Sequence, residues 1–193
     1  MENETKNILI VGTGGQGVIT ASEILADVAM QCGMDAKKSE VHGMSQRGGV
    51  VSSHVRYGKK VASPLIPQGA ADILLSFELA ETVRWLNFLA PAGRVVSSLW
   101  RIVPPAVTIG LGAYPDDAEE LIKSHSPDPI LIDALPMAEG LGNSRLVNTI
   151  LLAVASRLLD LPLEQWQATV ARRVPPKYRD LNLKAFEQGR ALA

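Results

Sequence analysis

Apolar runs alternate with amphipathic stretches along the first half of the chain, an order that is typical of α/β proteins. The runs within residues 7–11 and 72–77 predict buried strands, because successive apolar side chains leave neither side of a strand for solvent. Residues 16–31 place apolar side chains at three- and four-residue spacing and predict a helix that packs on the sheet. A second, polar strand is predicted at 35–41. The order strand, helix, strand implies that the two strands are parallel and that the connection between them is right-handed.

The later elements are predicted from the same patterns. They comprise strands at 50–57, 94–99 and 130–133, helices at 78–89, 116–124, 145–159 and 163–173, a hairpin completed by 60–63, a turn at 91–93, a proline-interrupted strand at 103–109, and a basic, less compact tail at 174–193. The predicted fold class is α/β: a three-layer, mostly parallel Rossmann-like sheet with helices on both faces and a β-hairpin insertion. The length favours a single domain, 1–193, whose C-terminal part at 144–193 is helical.

A glycine-rich turn joins the first strand to the first helix and is the strongest candidate for a binding site. This glycine loop consists of Gly12, Thr13, Gly14, Gly15, Gln16 and Gly17. Glycine lets backbone amides approach an anion closely, and the following helix points its free N–H groups at the same place. The spacing matches phosphate- and dinucleotide-binding loops. The alternative is a tight turn that only lets the helix pack on the sheet.

A second glycine-rich segment follows the second strand and is rich in hydrogen-bond donors. It contains His42, Ser45, Gln46, Arg47, Gly48 and Gly49. No carboxylate occurs between Val41 and Ala71, whereas this interval carries four cationic side chains and two histidines, so we expect it to be electropositive. Loops after parallel strands emerge at one edge of a sheet, so both glycine-rich segments should line one crevice. An ordinary solvated basic hairpin is the alternative.

Glu40 lies 23 residues after Gly17, at the end of the second predicted strand. Dinucleotide-binding folds place an acid near this position for the ribose hydroxyls. A stand-alone redox protein that binds NAD or FAD is therefore an alternative function, although little chain remains for a substrate domain. Glu40 could instead pair with Arg47 or with a nearby lysine.

The composition of the chain limits the partners, disulfides and metal sites that it could have. The formal net charge of −1 gives no basis for nucleic-acid or membrane contact, and we expect a cytoplasmic protein without a signal peptide or a membrane span. The single cysteine, Cys32, allows neither an intrachain disulfide nor a thiolate-bound cluster, and we expect an inert thiol. His42 and His54 are twelve residues apart without a carboxylate between them, so no metal site is predicted. No catalytic residue is assigned; His42 is the best candidate for acid–base work.

Several segments resemble the γ-type component of the thiamine-diphosphate-dependent 2-oxoacid:ferredoxin oxidoreductases. The glycine loop is one, and residues 39–49, Ser-Glu-Val-His-Gly-Met-Ser-Gln-Arg-Gly-Gly, are similar to the β subunits of indolepyruvate ferredoxin oxidoreductases. The similarity continues at 53–58, 63–66, 71–72, 77–81, Gly142, Asn143, Asn148 and 182–189. One departure is the run Leu151-Leu152-Ala153-Val154, where the family commonly has Leu-Gly-Ala, which puts a tight helix contact in doubt.

The resemblance implies a function for the chain as a subunit. The family converts an aryl pyruvate, coenzyme A and oxidised ferredoxin into acyl-CoA, carbon dioxide and reduced ferredoxin. Thiamine diphosphate, Mg and 4Fe-4S clusters would lie on a large α subunit, ferredoxin would meet the complex, and the isolated chain would be inactive. Coenzyme A would be a shared ligand of the two glycine-rich segments. A purely structural assembly subunit is the third interpretation.

Overall fold

The computed structural model describes residues 5–42, 49–103, 105–110 and 112–192. The strands are β1 (Lys6–Thr13), β2 (Asp35–His42), β3 (Val50–Gly58), β4 (Ala71–Ser76), β5 (Leu89–Ser98) and β6 (Ile130–Ile132). The α-helices are α1 (Val18–Gln31), α2 (Leu79–Trp85), α3 (Pro105–Thr108), α4 (Ala118–His125), α5 (Ala134–Gly140), α6 (Val147–Ser156), α7 (Leu163–Arg173) and α8 (Arg179–Arg190). Short 3₁₀ turns span Leu86–Phe88, Ser144–Leu146 and Pro176–Tyr178.

The strands form one mixed sheet in the order β2-β3-β1-β4-β5-β6. β1, β4, β5 and β6 are parallel neighbours, whereas β3 is antiparallel to both β1 and β2. β1 and β2 therefore point the same way, as a parallel unit requires, but β3 lies between them. The predicted α/β class with a mostly parallel sheet is confirmed. The hairpin consists of β2 and β3, so the prediction that residues 60–63 would complete it is wrong.

Helices cover both faces of the sheet, so both sides of β1 are buried and its apolar run is continuous. Ile8 and Ile10 belong to the core under α1 and α6, whereas Leu9 and Val11 belong to the core under α2 and α4. All four side chains are fully buried. Helices α7 and α8 pack on the outside of α1 and α6, respectively, and against each other.

Several predicted boundaries differ from the observed ones. The described residues of the range 103–109 contain the short helix α3 and no strand, and the helix predicted at 78–89 ends at Trp85. The predicted turn at 91–93 lies inside β5, where the register with β4 shifts between Ala71 and Ile73. Helix α5 was not predicted. None of the described helices is long and apolar enough to cross a membrane.

The C-terminal segment is a packed helix, and the prediction of a loose tail at 174–193 is wrong. Ala185 and Phe186 of α8 are buried, and Phe186 stacks on Trp166 of α7 with ring centroids 6.0 Å apart. A Cβ on Gly189 would lie 2.4 Å from the carbonyl oxygen of Ile150 and 2.8 Å from the Cβ of Ala153. The run Leu151-Leu152-Ala153-Val154 lacks the glycine that the family commonly has, which had put a tight helix contact in doubt. Helices α6 and α8 nevertheless approach closely, because α8 supplies a glycine, Gly189, at the contact.

Candidate functional site

The glycine loop connects β1 to α1 and has the backbone conformation that its glycines permit. Gly15 and Gly17 adopt φ angles of +100° and +86°, which side chains of L-residues disfavour. Helix α1 begins directly afterwards at Val18, and no side chain in the described part of the chain caps its N-terminus. The first N–H groups of α1 are thus directed at the loop edge with their usual hydrogen-bonding need unmet by a side chain.

The Gln16 side chain occupies the inside of the glycine loop. Its Oε1 accepts a hydrogen bond from the Thr13 amide at 2.8 Å, and its Nε2 donates to the carbonyl oxygen of Phe77 at 2.7 Å. The amide of Gln16 itself donates to the Thr13 carbonyl oxygen at 3.1 Å. A Cβ on Gly12 would lie 2.8 Å from Gln16 Oε1, so Gly12 makes room for this side chain. An anion would therefore bind at the outer side of the loop, beside the start of α1.

The two glycine-rich segments meet, as the strand order predicted. The Gly14 amide donates to the carbonyl oxygen of Gly49 at 2.9 Å. Ser45, Gln46, Arg47 and Gly48 lie outside the described residues, as does the side chain of His42. Their roles toward a ligand stay predictions.

Glu40 forms an ion pair with Lys38, two residues away on β2, and Lys38 also lies 3.5 Å from the carboxylate of Glu23 on α1. The pairing with a nearby lysine that the sequence left open is therefore present. A contact of Glu40 with a ribose stays a prediction.

A polar crevice borders the N-terminal end of α1 and was not predicted as a site. It has a volume of about 580 Å³ and is lined by Thr20 of α1, by five residues between 142 and 148, and by residues from the end of α7 to the first turn of α8. Asn148 reaches the glycine loop, since a Cβ on Gly17 would lie 2.2 Å from its Nδ2. Arg145 has an exposed side chain on the crevice wall. In the sequence, the only indication of this crevice was the family resemblance at Asn143 and Asn148. Their spacing along the chain could not show that Asn148 lies beside Gly17.

The described cationic side chains of the interval between Val41 and Ala71 do not gather at the glycine loop. Because β3 is antiparallel to β1, Val50 lies beside Thr13, whereas Gly58 lies beside Asp35 at the opposite edge of the sheet. Lys59 and Lys60 follow Gly58 and belong to that opposite edge. The Arg56 guanidinium group holds neighbouring segments together: it donates to Asn7 Oδ1 at 2.8 Å and to the carbonyl oxygens of Ser63 and Leu65 at 3.0 and 3.1 Å.

Two further titratable groups have structural surroundings. His54 is buried on β3, its Nδ1 accepts from the Ile66 amide at 3.1 Å, and its ring meets Phe88 edge-on. Burial lowers the pKa of His54 and favours the neutral ring. Burial raises the pKa of the partly buried Cys32 thiol, which agrees with the inert thiol that we expected. Among the described residues, no group of three His, Cys, Asp or Glu side chains could hold a metal ion.

A second cleft, of about 530 Å³, is lined by Thr13 at the end of β1. It lies between the ends of β1 and β3, helix α2, and the segment between β5 and α4, whose described parts include Ile102 and Tyr114. Glu78 fixes this segment to α2. Its Oε1 accepts from the Ile102 amide at 3.0 Å and from the Tyr114 hydroxyl at 2.6 Å, while its Oε2 accepts from the Glu81 amide at 2.8 Å. Burial, together with Glu78, raises the pKa of Tyr114.

Comparison with known proteins places this geometry in a family. The chain is 38% identical over 188 residues to indolepyruvate oxidoreductase subunit IorB of Thermococcus kodakarensis, covering 95% of this chain and 93% of that protein. Two solved structures share the fold. One is the γ subunit of a keto/oxoacid ferredoxin oxidoreductase of Geobacter sulfurreducens, with a TM-score of 0.73 and 23% identity over 97% of this chain and 98% of that chain.

The other is a 2-oxoglutarate:ferredoxin oxidoreductase of Magnetococcus marinus, solved with 2-oxoglutarate, coenzyme A and succinyl-CoA bound. Its TM-score is 0.77 at 20% identity, over 100% of this chain and 31% of that chain. At these identities the two structures support the fold alone. Residues 7–192 match the model of one family, described as pyruvate ferredoxin/flavodoxin oxidoreductase. The chain therefore belongs to the pyruvate ferredoxin/flavodoxin oxidoreductase family.

Proposed function

We propose that the chain is the small subunit of an indolepyruvate-type 2-oxoacid:ferredoxin oxidoreductase. The observation that carries this proposal is the 38% identity to an indolepyruvate oxidoreductase subunit over 95% of the chain. The complex would convert an aryl pyruvate, coenzyme A and oxidised ferredoxin into acyl-CoA, carbon dioxide and reduced ferredoxin. The reaction would take place in the cytoplasm.

The chemical steps belong, in this proposal, to a large α subunit. That partner would carry thiamine diphosphate, Mg and the 4Fe-4S clusters, and ferredoxin would bind the assembled complex. The proposal is supported by the Magnetococcus marinus enzyme, in which a region with this fold makes up about a third of a longer chain. In that enzyme the region with this fold is covalently joined to the rest of the chain. A separate subunit with the same fold would therefore form a permanent interface with the large subunit.

For coenzyme A we place the phosphates at the outer side of the glycine loop. Gln16 fills the inside of the loop, whereas the N-terminus of α1 has no side-chain cap from the residues that the structure describes. The helix dipole and free N–H groups at such an end favour an anion. Arg145 and Asn148 would add a cation and an amide from the neighbouring crevice. Arg47 would approach from the second glycine-rich segment, which reaches the loop through Gly49.

Matched arginine variants of the assembled complex test this placement. We expect Arg145→Ala to raise the dissociation constant of coenzyme A about tenfold, because one charge-assisted contact contributes about 1.5 kcal/mol or more. Arg157→Ala is the control, since this exposed residue follows the far end of α6. Calorimetry with coenzyme A gives both constants. Equal constants for Arg145→Ala and the unmodified complex would remove Arg145 from the site.

The same experiment applied to Arg47→Ala separates the other interpretations. A loss of coenzyme A affinity supports a ligand site between the two glycine-rich segments. A loss confined to subunit affinity, measured by light scattering, supports the purely structural assembly subunit. Saturable micromolar binding of NAD to the single chain, lost in Glu40→Ala, would support the stand-alone redox protein.

A further inference from the structure

Strand β2 forms one edge of the sheet, and its outer side has no partner strand among the described residues. All eight of its residues pair with β3, from Asp35 opposite Gly58 to His42 opposite Val51, without a shift in register. The strand at the other edge, β6, has only three residues. A long, regular edge strand presents a row of N–H and C=O groups that another strand can pair with. Of the two edges, β2 is therefore the one suited to extend the sheet.

The usual devices that block such an edge are absent from β2 or are balanced within it. Natural edge strands are protected by prolines, by β-bulges or by charged side chains, lysine above all. β2 contains no proline, and its pairing with β3 has no bulge. Lys37 lies 2.8 Å from Asp35, and Lys38 forms an ion pair with Glu40. These two cations and two anions leave no net charge among them that would repel a second strand.

The charges on one face of β2 are complementary to themselves. Lys38 and Glu40 share the face that α1 covers, because Lys38 lies beside Val55 of the core under α1. An antiparallel second copy of β2, related by a two-fold axis at Ser39, places Lys38 of each copy directly opposite Glu40 of the other. Opposite charges in such cross-strand pairs stabilise a sheet. Moving the axis by one residue would instead put Lys38 opposite Lys38, or Glu40 opposite Glu40.

The other face of β2 carries an apolar side chain that the chain itself leaves uncovered. Val41 is 53% exposed. With the axis at Ser39, residue 41 of one copy lies opposite Lys37 of the other, since the two positions are equally far from the axis. The methylene chain of Lys37 would cover Val41 while its ammonium group stays in water. One register therefore gives favourable contacts on both faces of the strand.

We infer that two copies of this chain associate through antiparallel β2 strands, with Ser39 at the two-fold axis. The pairing joins two six-stranded sheets into one of twelve strands. It goes beyond the proposed function, because in the assembled enzyme it would link two small subunits, each bound to its own large subunit. Two eight-residue strands bury less than the roughly 1,600 Å² of a standard interface, so we expect a dissociation constant on the order of 10–100 µM.

Charge reversal in the full chain tests the inference. Sedimentation velocity from about 1 to 500 µM brackets the expected constant, and the unmodified chain should dimerise within that range. Lys38→Glu and Glu40→Lys each place like charges opposite one another, so each should weaken self-association about tenfold or more. Lys123→Glu on α4 is the matched control and should dimerise like the unmodified chain. An unmodified chain that stays monomeric overturns the inference and needs no variant to do so.

An equal mixture of the two reversed variants gives the sharpest result. Lys38→Glu in one copy then faces Glu40→Lys in the other, so every charged pair of the interface is complementary again. We expect a heterodimer whose dissociation constant lies within about threefold of that of the unmodified chain. Misfolding cannot produce this recovery, and far-UV circular dichroism checks that each variant is folded. A mixture of two folded variants that remains monomeric overturns the inference.

A cysteine at the axis tests the register. In Ser39→Cys the two introduced side chains face each other, with Cβ atoms about 5 Å apart. In Lys37→Cys they lie four residues apart along the strands, about 13 Å at 3.3 Å per residue. We expect oxidised glutathione to cross-link Ser39→Cys at least about tenfold faster. Both variants retain the native Cys32, which is therefore a common background. Equal rates for the two variants overturn the inference.

Dimerisation of the single chain is measured without the large subunit, so its outcome is independent of the proposed function. A chain that dimerises through β2 but binds no large subunit refutes only the proposed function. A chain that assembles and turns over indolepyruvate, but stays monomeric by itself, refutes only the β2 dimer. If that monomeric chain loses affinity for the large subunit in Lys38→Glu, the β2 edge is an interface with the large subunit and the inference is wrong.

Discussion

At the scale of single residues, Gly17 is constrained in two independent ways. Its φ of +86° disfavours any side chain, and a Cβ would lie 2.2 Å from Asn148 Nδ2. Gly15 has a φ of +100°, but a Cβ there would meet nothing within 4 Å, so this residue separates the two effects. We expect Gly15→Ala to lower the free energy of unfolding by about 1 kcal/mol and Gly17→Ala by about 2–4 kcal/mol.

Urea denaturation measures both free energies of unfolding. Repeating Gly17→Ala in a protein that also carries Asn148→Ala identifies the part of the cost that comes from the contact with Asn148. In Asn148→Ala the Nδ2 and Cγ contacts are gone and only the Cβ of residue 148 remains, 3.3 Å away, so Gly17→Ala should then cost about 1–2 kcal/mol, most of it from its backbone conformation. An unchanged cost in that background would mean that Asn148 does not restrict Gly17 and that the crevice is not joined to the loop through this pair.

His54 makes a prediction about pH at the same scale. Burial lowers its folded-state pKa below the ordinary value of 6.5, so the unfolded chain takes up a proton first as the pH falls. The stability contributed by neutral His54 is present above pH 6.5 and is lost as the pH falls toward the folded-state pKa. The free energy of unfolding should drop between pH 7 and pH 5 by at most about 1.4 kcal/mol per pH unit.

The matched variant is His54→Gln, whose side-chain oxygen can still accept from the Ile66 amide. Its free energy of unfolding should vary less across this pH range, as measured by urea denaturation at each pH. A decrease of the same size in the variant would assign the pH dependence to other groups.

At the scale of elements, Asp27 joins α1 to α7. Its Oδ2 accepts from Arg172 Nη2 at 2.7 Å and from Arg173 Nε at 2.8 Å. Burial alone would raise the pKa of Asp27, but the two guanidinium groups outweigh it and hold the pKa below its usual value. Because the Asp27 side chain is only 8% exposed while both arginines are partly hydrated, Asp27→Asn should cost about 1–3 kcal/mol of unfolding free energy.

Chemical denaturation of Glu119→Gln supplies the comparison. Glu119 lies 3.9 Å from Lys123 in an exposed pair on α4, and its loss should change stability by no more than about 0.5 kcal/mol. Should the two substitutions cost the same, Asp27 does not stabilise the contact between the helices.

The elements that the sequence predicted best are those with a strong period of their own. Residues 163–173 match α7, because apolar positions at helical spacing face α1 and polar ones face solvent. The packing of residues 174–193 was missed, and a less compact tail was predicted, because α8 has few apolar residues and owes its stability to Phe186 and to the close approach of Gly189 to α6. Such packing depends on residues far away in sequence.

At the scale of the whole molecule, strand direction accounts for what could be predicted of the site. The two glycine-rich segments meet because β1 and β2 point the same way, although β3 lies between them. Asn148, Arg145 and the second cleft could not be placed from sequence, because most of the residues that form them lie far from the glycine loop along the chain. Because β3 is antiparallel to β1, it carries Lys59 to the opposite edge of the sheet, away from the glycine loop.

As one subunit of an oxidoreductase, this chain should have no turnover by itself. The most direct test is to titrate it into its cognate large subunit and to measure viologen reduction that depends on indolepyruvate and coenzyme A. We predict no turnover by the single chain, and a rise on mixing that reaches a plateau at a fixed subunit ratio. Decarboxylation of indolepyruvate by the purified single chain, or a large subunit whose activity is unaffected by adding it, would contradict the account.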